Sequence, residues 1–247
     1  MKIALPILIA VLFASCSLST KKDPFEGKPN GKVLKISQYM YEASEKFGET
    51  SKGRLINYDV ENFDEKGNIQ KATYISMFDS TKADTSEVIR KYNRKGEWIA
   101  LIDLKTGLTE FEHIYDNEGH RIETNQFEGK KLESKTKYLF EGGDLTEGKE
   151  YSGDGSLKST TKYKVDRNGH IVETEELKND GKPARKDVSS FNDKGFEEKV
   201  SAYEGQKLIS EYLIKYLKYD KLDNWTVAHH FYKNKPVYIY ERKIEYR

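Results

Sequence analysis

Val165-Asp166-Arg167-Asn168-Gly169-His170-Ile171 decides the fold, because the same grammar returns along most of the chain. An aromatic or apolar residue is followed by Asp or Asn, two polar residues, Gly, and an apolar restart. From residue 55 onward it recurs as Phe63-Asp64-Glu65-Lys66-Gly67-Asn68-Ile69, Tyr92-Asn93-Arg94-Lys95-Gly96-Glu97-Trp98 and Tyr115-Asp116-Asn117-Glu118-Gly119 with Ile122. Further copies are Phe191-Asn192-Asp193-Lys194-Gly195-Phe196 and Tyr219-Asp220-Lys221-Leu222-Asp223-Asn224-Trp225, the last read as a longer loop with Asn in place of Gly. Asp or Asn at the first turn position accepts hydrogen bonds from the backbone ahead. Gly supplies the left-handed residue that closes a type I turn with a bulge. The unit is therefore a β-hairpin.

A shorter turn alternates with it, as Phe127-Glu128-Gly129-Lys130-Lys131-Leu132 and Tyr203-Glu204-Gly205-Gln206-Lys207-Leu208, with Phe231–Val237 as a relative. Turns every 10–14 residues through residues 119–205 leave strands of about 6–9 residues, an antiparallel meander. Period-two patterning agrees. Ser134, Thr136 and Tyr138 share a face, while Lys135 and Lys137 take the other, joined there by Leu139. Trp225, Val227, His229 and Phe231 are placed on one face by the same alternation. The expected class is all-β: a meander of repeated hairpins forming a curled single-layer sheet or an open barrel. Two stretches break the rhythm. Residues 42–48 read as one helical turn, and residues 79–87 as a loop.

Composition fits a thin sheet. The apolar fraction is low at 36% and the charged fraction high at 34%, yet 17 Tyr, 11 Phe and 2 Trp are too many for a solvated coil. High charge with many rings calls for much surface per residue, which a thick α/β core would not provide.

The chain begins with Met1-Lys2, an apolar run Ile3–Phe13, and Ala14-Ser15-Cys16. A basic start, a short apolar run and small residues before a cut site make a secretory leader, residues 1–15. At 11 residues the run falls short of the about 20 needed to span a bilayer. Phe13-Ala14-Ser15-Cys16 resembles the lipobox of bacterial lipoproteins, although Phe13 stands where Leu is usual. That resemblance implies a diacylglycerol on the Cys16 sulfur, and the composition agrees, since Cys16 is the only Cys and has no disulfide partner. Ser17, where the inner-membrane retention signal of this class has Asp, implies the outer membrane. Residues 16–32, with Ser, Lys, Pro24, Gly27 and Pro29, read as a flexible tether, and residues 33–247 as the β domain. Without the leader the 42 basic residues lose Lys2 and balance the 41 acidic ones, so nothing favours nucleic acid.

The turns resemble the YD repeats of the RHS family, through Tyr115-Asp116 with Gly119-His120 and Asp166 with Gly169-His170-Ile171. The Gly-x-Lys-Leu turns resemble MORN repeats. The whole chain resembles secreted lipoproteins common in Bacteroidetes that end in a segment like Asp223-Asn224-Trp225 and a final Arg-x-Ile-x-Tyr, here Arg242–Tyr246.

No nucleophile elbow, phosphate loop or His-Glu-x-x-His helix is present. His229 and His230 are adjacent, so on a strand they point to opposite faces and cannot easily share an ion. His120 and His170 read as solvated turn residues. The acidic turns lack calcium-loop spacing. No catalytic residue, metal ligand or cofactor is assigned. Trp98 and Trp225, each starting a strand after a repeat turn, are the candidate ligand-binding residues, with packing in the sheet core as their alternative. The expected function is a membrane-anchored, non-enzymatic binding or scaffold module for a glycan or protein at the envelope. The alternatives are a factor shielding an apolar ligand inside the curl and a hydrolase with loop-borne carboxylates, residues 79–87 being the candidate loop.

Overall fold

The computed structural model describes residues 28–77 and 83–247, apart from the side chain of Lys46. The leader at 1–15, Cys16 and all of the tether except residues 28–32 lie outside these residues. The described chain is all β. Its strands are β1 (Val33–Lys46), β2 (Glu49–Phe63), β3 (Ile69–Ser76), β4 (Asp84–Tyr92), β5 (Trp98–Asp103), β6 (Thr109–Tyr115), β7 (Arg121–Glu128) and β8 (Lys131–Glu141). There follow β9 (Asp144–Ser152), β10 (Leu157–Val165), β11 (Ile171–Lys178), β12 (Pro183–Phe191), β13 (Glu197–Glu204), β14 (Lys207–Tyr219), β15 (Trp225–Tyr232) and β16 (Lys235–Tyr246). Each pairs antiparallel with the next, and β16 pairs back onto β1 with Ile36 opposite Ile244 and Met40 opposite Tyr240. The meander is a closed barrel. Closure satisfies the two edges that an open curl would leave unpaired.

Because consecutive strands alternate in direction, all six repeated turns fall on one rim. One rim, here the Asx rim, carries the hairpins β2–β3, β4–β5, β6–β7, β10–β11, β12–β13 and β14–β15, all of the repeated kind, together with the Gly142-Gly143 turn of β8–β9. The chain also enters and leaves the barrel there, at Val33 and Tyr246. The shorter turns at Gly129-Lys130, Gly205-Gln206 and Lys233-Asn234 lie on the opposite rim, with the longer β3–β4 and β5–β6 connections.

The six repeated turns share one geometry. The Asp64, Asn93, Asp116, Asp166, Asn192 or Asp220 side chain uses one oxygen to accept backbone N–H groups two and four residues on, at 2.8–3.1 Å. Its own N–H donates to the carbonyl four residues on, as Asp166 does to His170 at 2.9 Å. Gly169 at φ +90° is the left-handed residue. In the last copy that position belongs to Asp223, at φ +63°, so the loop has the common length and Asn224 takes the following position.

Beside every Asx-rim turn the ladder slips by one residue, as between Lys91 and Tyr92 and between Lys218 and Tyr219. Such bulges reverse the alternation. The residue opening each strand is thereby turned to the inner face with the one closing the strand before. This corrects the face assigned to Trp225: it packs with Ala228, Ile214 and Phe196, while Val227 and His229 stay outside. The other two readings also change. β1 runs through residues 42–46 as strand and turns at Phe47-Gly48, both at positive φ, rather than forming a helical turn. β4 begins at Asp84, within the stretch read as a loop; residues 78–82 lie outside the described ones.

Candidate functional site in the barrel lumen

The two faces of the wall differ in chemistry. Outside, ion pairs run strand to strand: Lys71–Glu87 at 2.6 Å, Lys199–Glu211 at 2.7 Å, Lys35–Glu245 at 3.0 Å, and Glu173 between Lys164 and Lys186 at 2.8 Å each. These side chains are mostly a third to two thirds exposed, so each pair is worth little alone, but together they make a water-compatible surface. Inside, the alternate residues are rings, carboxylates, guanidinia and small hydroxyls, interspersed with aliphatic side chains such as Ile36, Met40, Ala72 and Val88. Sixteen strands hold opposite walls too far apart for side chains to fill the space between them. Close backbone approaches join ladder neighbours, with one marginal exception.

One stretch of inner wall, on β16 and β1 to β7, gathers the strongest chemistry. Asp59 and Glu61 lie two residues apart on β2. Burial and the neighbouring Glu61 push Asp59 up to about 6, against a hydrogen bond from Gln38 and the charge of Arg242. Burial also raises Glu61, opposed by Arg90 and Arg242. Arg242 donates to the Gln38 side chain at 2.8 Å and lies 3.6 Å over the Trp225 ring. Arg90 lies 4.1 Å and Arg121 5.3 Å from the Trp98 ring, whose edge meets His113 with centroids 4.4 Å apart. Burial, then Arg121 and Arg90, hold His113 down to about 3, so its imidazole is neutral; Nδ1 is 2.9 Å from the Thr124 hydroxyl.

From β8 round to β16 the wall is tyrosine-rich. The Tyr212 and Tyr232 rings meet at a tilt with centroids 5.0 Å apart, as do His230 and Tyr240 at 4.4 Å. Burial, then His229, lowers His230 to about 4. Tyr138 and Tyr163 both lie over Gly148, where a Cβ would stand 3.2 Å from one ring and 3.4 Å from the other. Burial raises the Tyr163 and Tyr240 hydroxyls.

Trp98 therefore lines the lumen, half-buried, with its indole N–H donated to the Ala100 carbonyl at 2.9 Å. Trp225 is 1% exposed and packs into the rim. His120 and His170 are not solvated, at 9% and 6% exposure: each binds its turn aspartate through Nδ1, at 2.9 and 3.1 Å, and stacks on the next hairpin's Phe140 or Phe191. Asp116, Glu118 and His120 have ligand atoms close enough for one metal ion. Asp166 and His170 make the same contact with Asn168 in place of the Glu, so the aspartate–histidine link belongs to the repeat. Arg90, Arg121, Asp59 and Glu61 were not legible as a set. Their only signal was inward parity on neighbouring strands, which the bulges obscure.

No protein-family model matches the chain, and no curated protein matches it in sequence. Among solved structures, a porin-like protein from Bacteroides uniformis superposes with a TM-score of 0.57 at 10% identity, over 88% of this chain and 99% of that one. It shares the barrel fold. The Photorhabdus luminescens Tc holotoxin pore (TM-score 0.32, 11% identity, 76% of this chain and 12% of that one) superposes too poorly to bear on the fold. So does a LolA superfamily protein from Nitrosomonas europaea (TM-score 0.26, 10% identity, 89% and 87%).

Proposed function

We propose that this is an envelope lipoprotein, held at the outer membrane by a diacylglycerol on Cys16, whose barrel lumen binds a glycan. Its six Asx-rim turns are degenerate YD-type repeats on this reading. The observation that carries the glycan is the mixture on one wall: rings such as Trp98, Tyr232 and Tyr240 beside carboxylates, guanidinia and hydroxyls. Sugars need a flat ring to stack on and directional partners for their hydroxyls. An apolar ligand would instead bury Asp59, Glu61 and Arg90 against hydrocarbon, at a large desolvation cost. The test is a glycan array probed with the mature chain carrying Cys16→Ser. Selective binding, weakened about tenfold by Trp98→Ala, is expected; that ratio corresponds to about 1.4 kcal/mol. Binding to no glycan refutes the reading. Metabolic labelling with a fatty-acid analogue, lost in Cys16→Ser, tests the anchor.

A hydrolase has one observation in its favour. The carboxylates that converge are Asp59 and Glu61, on a strand inside the barrel rather than on the 79–87 stretch. Side chains two apart on one strand face are about 7 Å apart, in the range of a glycosidase pair. Arg90 and Arg242 beside them fit a binding wall equally well. Cleavage of a bound glycan, abolished by Glu61→Gln, would establish it; recovery of that glycan intact would refute it.

A further inference from the structure

Every neighbouring pair of strands in the barrel is consecutive in sequence except β1 and β16, which meet at the seam. No hairpin turn joins these two, so their ends at the Asx rim need another fastening. The chain supplies it as a crossed clasp. Residues 28–32, which lead into β1, reach past the end of β16 to the β14–β15 turn. The Asn30 N–H donates to Asn224 Oδ1 at 2.8 Å, and Asn224 Nδ2 donates to the Asn30 carbonyl at 2.9 Å and to the Tyr246 hydroxyl at 2.8 Å. Tyr246 in turn donates to Asp220, the aspartate of that turn. In the other direction Arg247, which follows β16, reaches past the start of β1. Its N–H donates to the Lys32 carbonyl at 2.9 Å, and its guanidinium donates to the carbonyl of Phe63, the last residue of β2, at 2.6 Å. Lys28 adds a bond to Asn68 of the β2–β3 turn at 2.7 Å.

The fit is close. Asn224 is 0% exposed, and its side chain satisfies both backbone groups of Asn30. Turns further round carry His120 and His170 at the same position, where each stacks on the next hairpin's Phe. Beyond β15 and β16 no next hairpin follows on this rim, and the amide binds the entering chain instead. Gly31 lies at φ +85°, and a Cβ there would stand 2.5 Å from Leu222 Cδ1 and 3.3 Å from the Tyr246 ring.

We propose that residues 28–32 are a latch on the barrel: docked, they hold β1 against β16, and their release lets the seam part at the Asx rim while the turn-joined strands stay together. Parting leaves the rim ends of β1 and β16 as unpaired edges and opens the lumen from the side. The latch is independent of what the lumen binds.

The test is hydrogen exchange followed by mass spectrometry on the mature chain carrying Cys16→Ser. Asn224→Ala removes three bonds from the turn side, and Gly31→Ala displaces the entering segment without touching the turn. His170→Ala, at the matching position of a turn away from the seam, is the control. In each of the first two variants the amides of residues 33–38 and 241–246 are expected to exchange about tenfold faster than in the parent, with β7 to β12 within about twofold. The control is expected to leave the seam within about twofold. Seam exchange unchanged in both variants overturns the latch. Equal acceleration in every strand also overturns it, because the contacts would then add only to overall stability. Should Asn224→Ala fail to fold, Gly31→Ala decides alone.

Discussion

Asp166 is the place to test whether the repeat is held by its turn chemistry. Its Oδ1 accepts the Asn168 and His170 backbone N–H groups at 2.8 and 2.9 Å, and its Oδ2 faces His170 Nδ1 at 3.1 Å. Asp166→Ala removes all three. Hydrogen bonds to a charged acceptor contribute about 1.5–3 kcal/mol each, but this side chain is 28% exposed and water replaces part of the loss. A total of about 2–3 kcal/mol remains. Asp166→Asn keeps the Oδ1 acceptor, as Asn93 and Asn192 do at equivalent turns, and is expected within about 1 kcal/mol of the parent. The pH dependence separates them further. Burial works to raise Asp166, but the His170 and Asn168 donors outweigh it, and its folded pKa lies below the ordinary value. A depressed carboxylate stabilises the fold above its unfolded pKa, and that stability is lost as the pH falls below about 4. The Asn variant should therefore lose less on acidification. The assay is urea denaturation of the three proteins at pH 7 and pH 3.5. On the opposite rim, Asp180 accepts one backbone N–H, that of Lys182 at 3.0 Å, and pairs with the largely exposed Lys182 ammonium, also at 3.0 Å, so Asp180→Ala serves as control. Equal midpoints for Asp166→Ala and Asp180→Ala would refute the reasoning.

Other substitutions probe other levels of the fold. Gly67 sits at φ +77° with open space where a Cβ would be, so Gly67→Ala carries only the left-handed penalty, about 1–2 kcal/mol by urea midpoint. Gly148→Ala sets a methyl against the Tyr163 and Tyr138 rings and should cost about 1–3 kcal/mol in the same assay, with a change in near-ultraviolet dichroism. Trp225→Ala empties a fully buried site under Arg242 and should cost about 3–5 kcal/mol, against at most about 2 for the half-buried Trp98→Ala. Asp59, raised to about 6, holds a proton in the folded state that the unfolded chain has released, so its contribution falls as the pH rises from 4 to 6. Asp59→Asn should therefore melt higher than the parent at pH 7.5 and with it at pH 4; higher melting at both would point to another cause.

The meander was legible because turn chemistry is local: an Asx side chain and a left-handed Gly are specified within five residues. Closure was not, because nothing in β1 or β16 alone states that Ile36 will find Ile244 across 208 positions of sequence. The faces were legible in mid-strand, where Lys135 and Lys137 point out, and failed beside the turns, where a one-residue bulge reverses parity and brings Trp225 inside. The histidines failed for a related reason. His170 follows a turn Gly, which suggests solvent, but the hairpin after it lays Phe191 across the imidazole, a contact between neighbouring repeats that no single repeat encodes. The lumen cluster of Asp59, Glu61, Arg90 and Arg242 depends on both closure and parity, and so was the least visible feature.

Closure also accounts for the composition. A single-layer barrel has no second sheet to bury a face against, so few apolar residues are needed: Met40, Ile56, Ala72, Val88 and Ile239 are buried singly in mid-strand, and the larger apolar groups gather toward one end. Two buried apolar clusters stand out among the described residues: Val33, Ile36 and Phe63 beside the Asx rim at the seam, and Phe196 and Trp225 at that rim with Ile214 and Ala228 deeper on β14 and β15. A transmembrane barrel needs an outward apolar band about 25 Å tall, in which a Lys or Arg near the midplane costs about 2–4 kcal/mol. This chain carries its exposed apolar residues at the ends and its charges at the waist, the reverse arrangement. It therefore shares a barrel with a porin-like protein while its outer wall is built for water. What the wall can hold is then a question about the lumen.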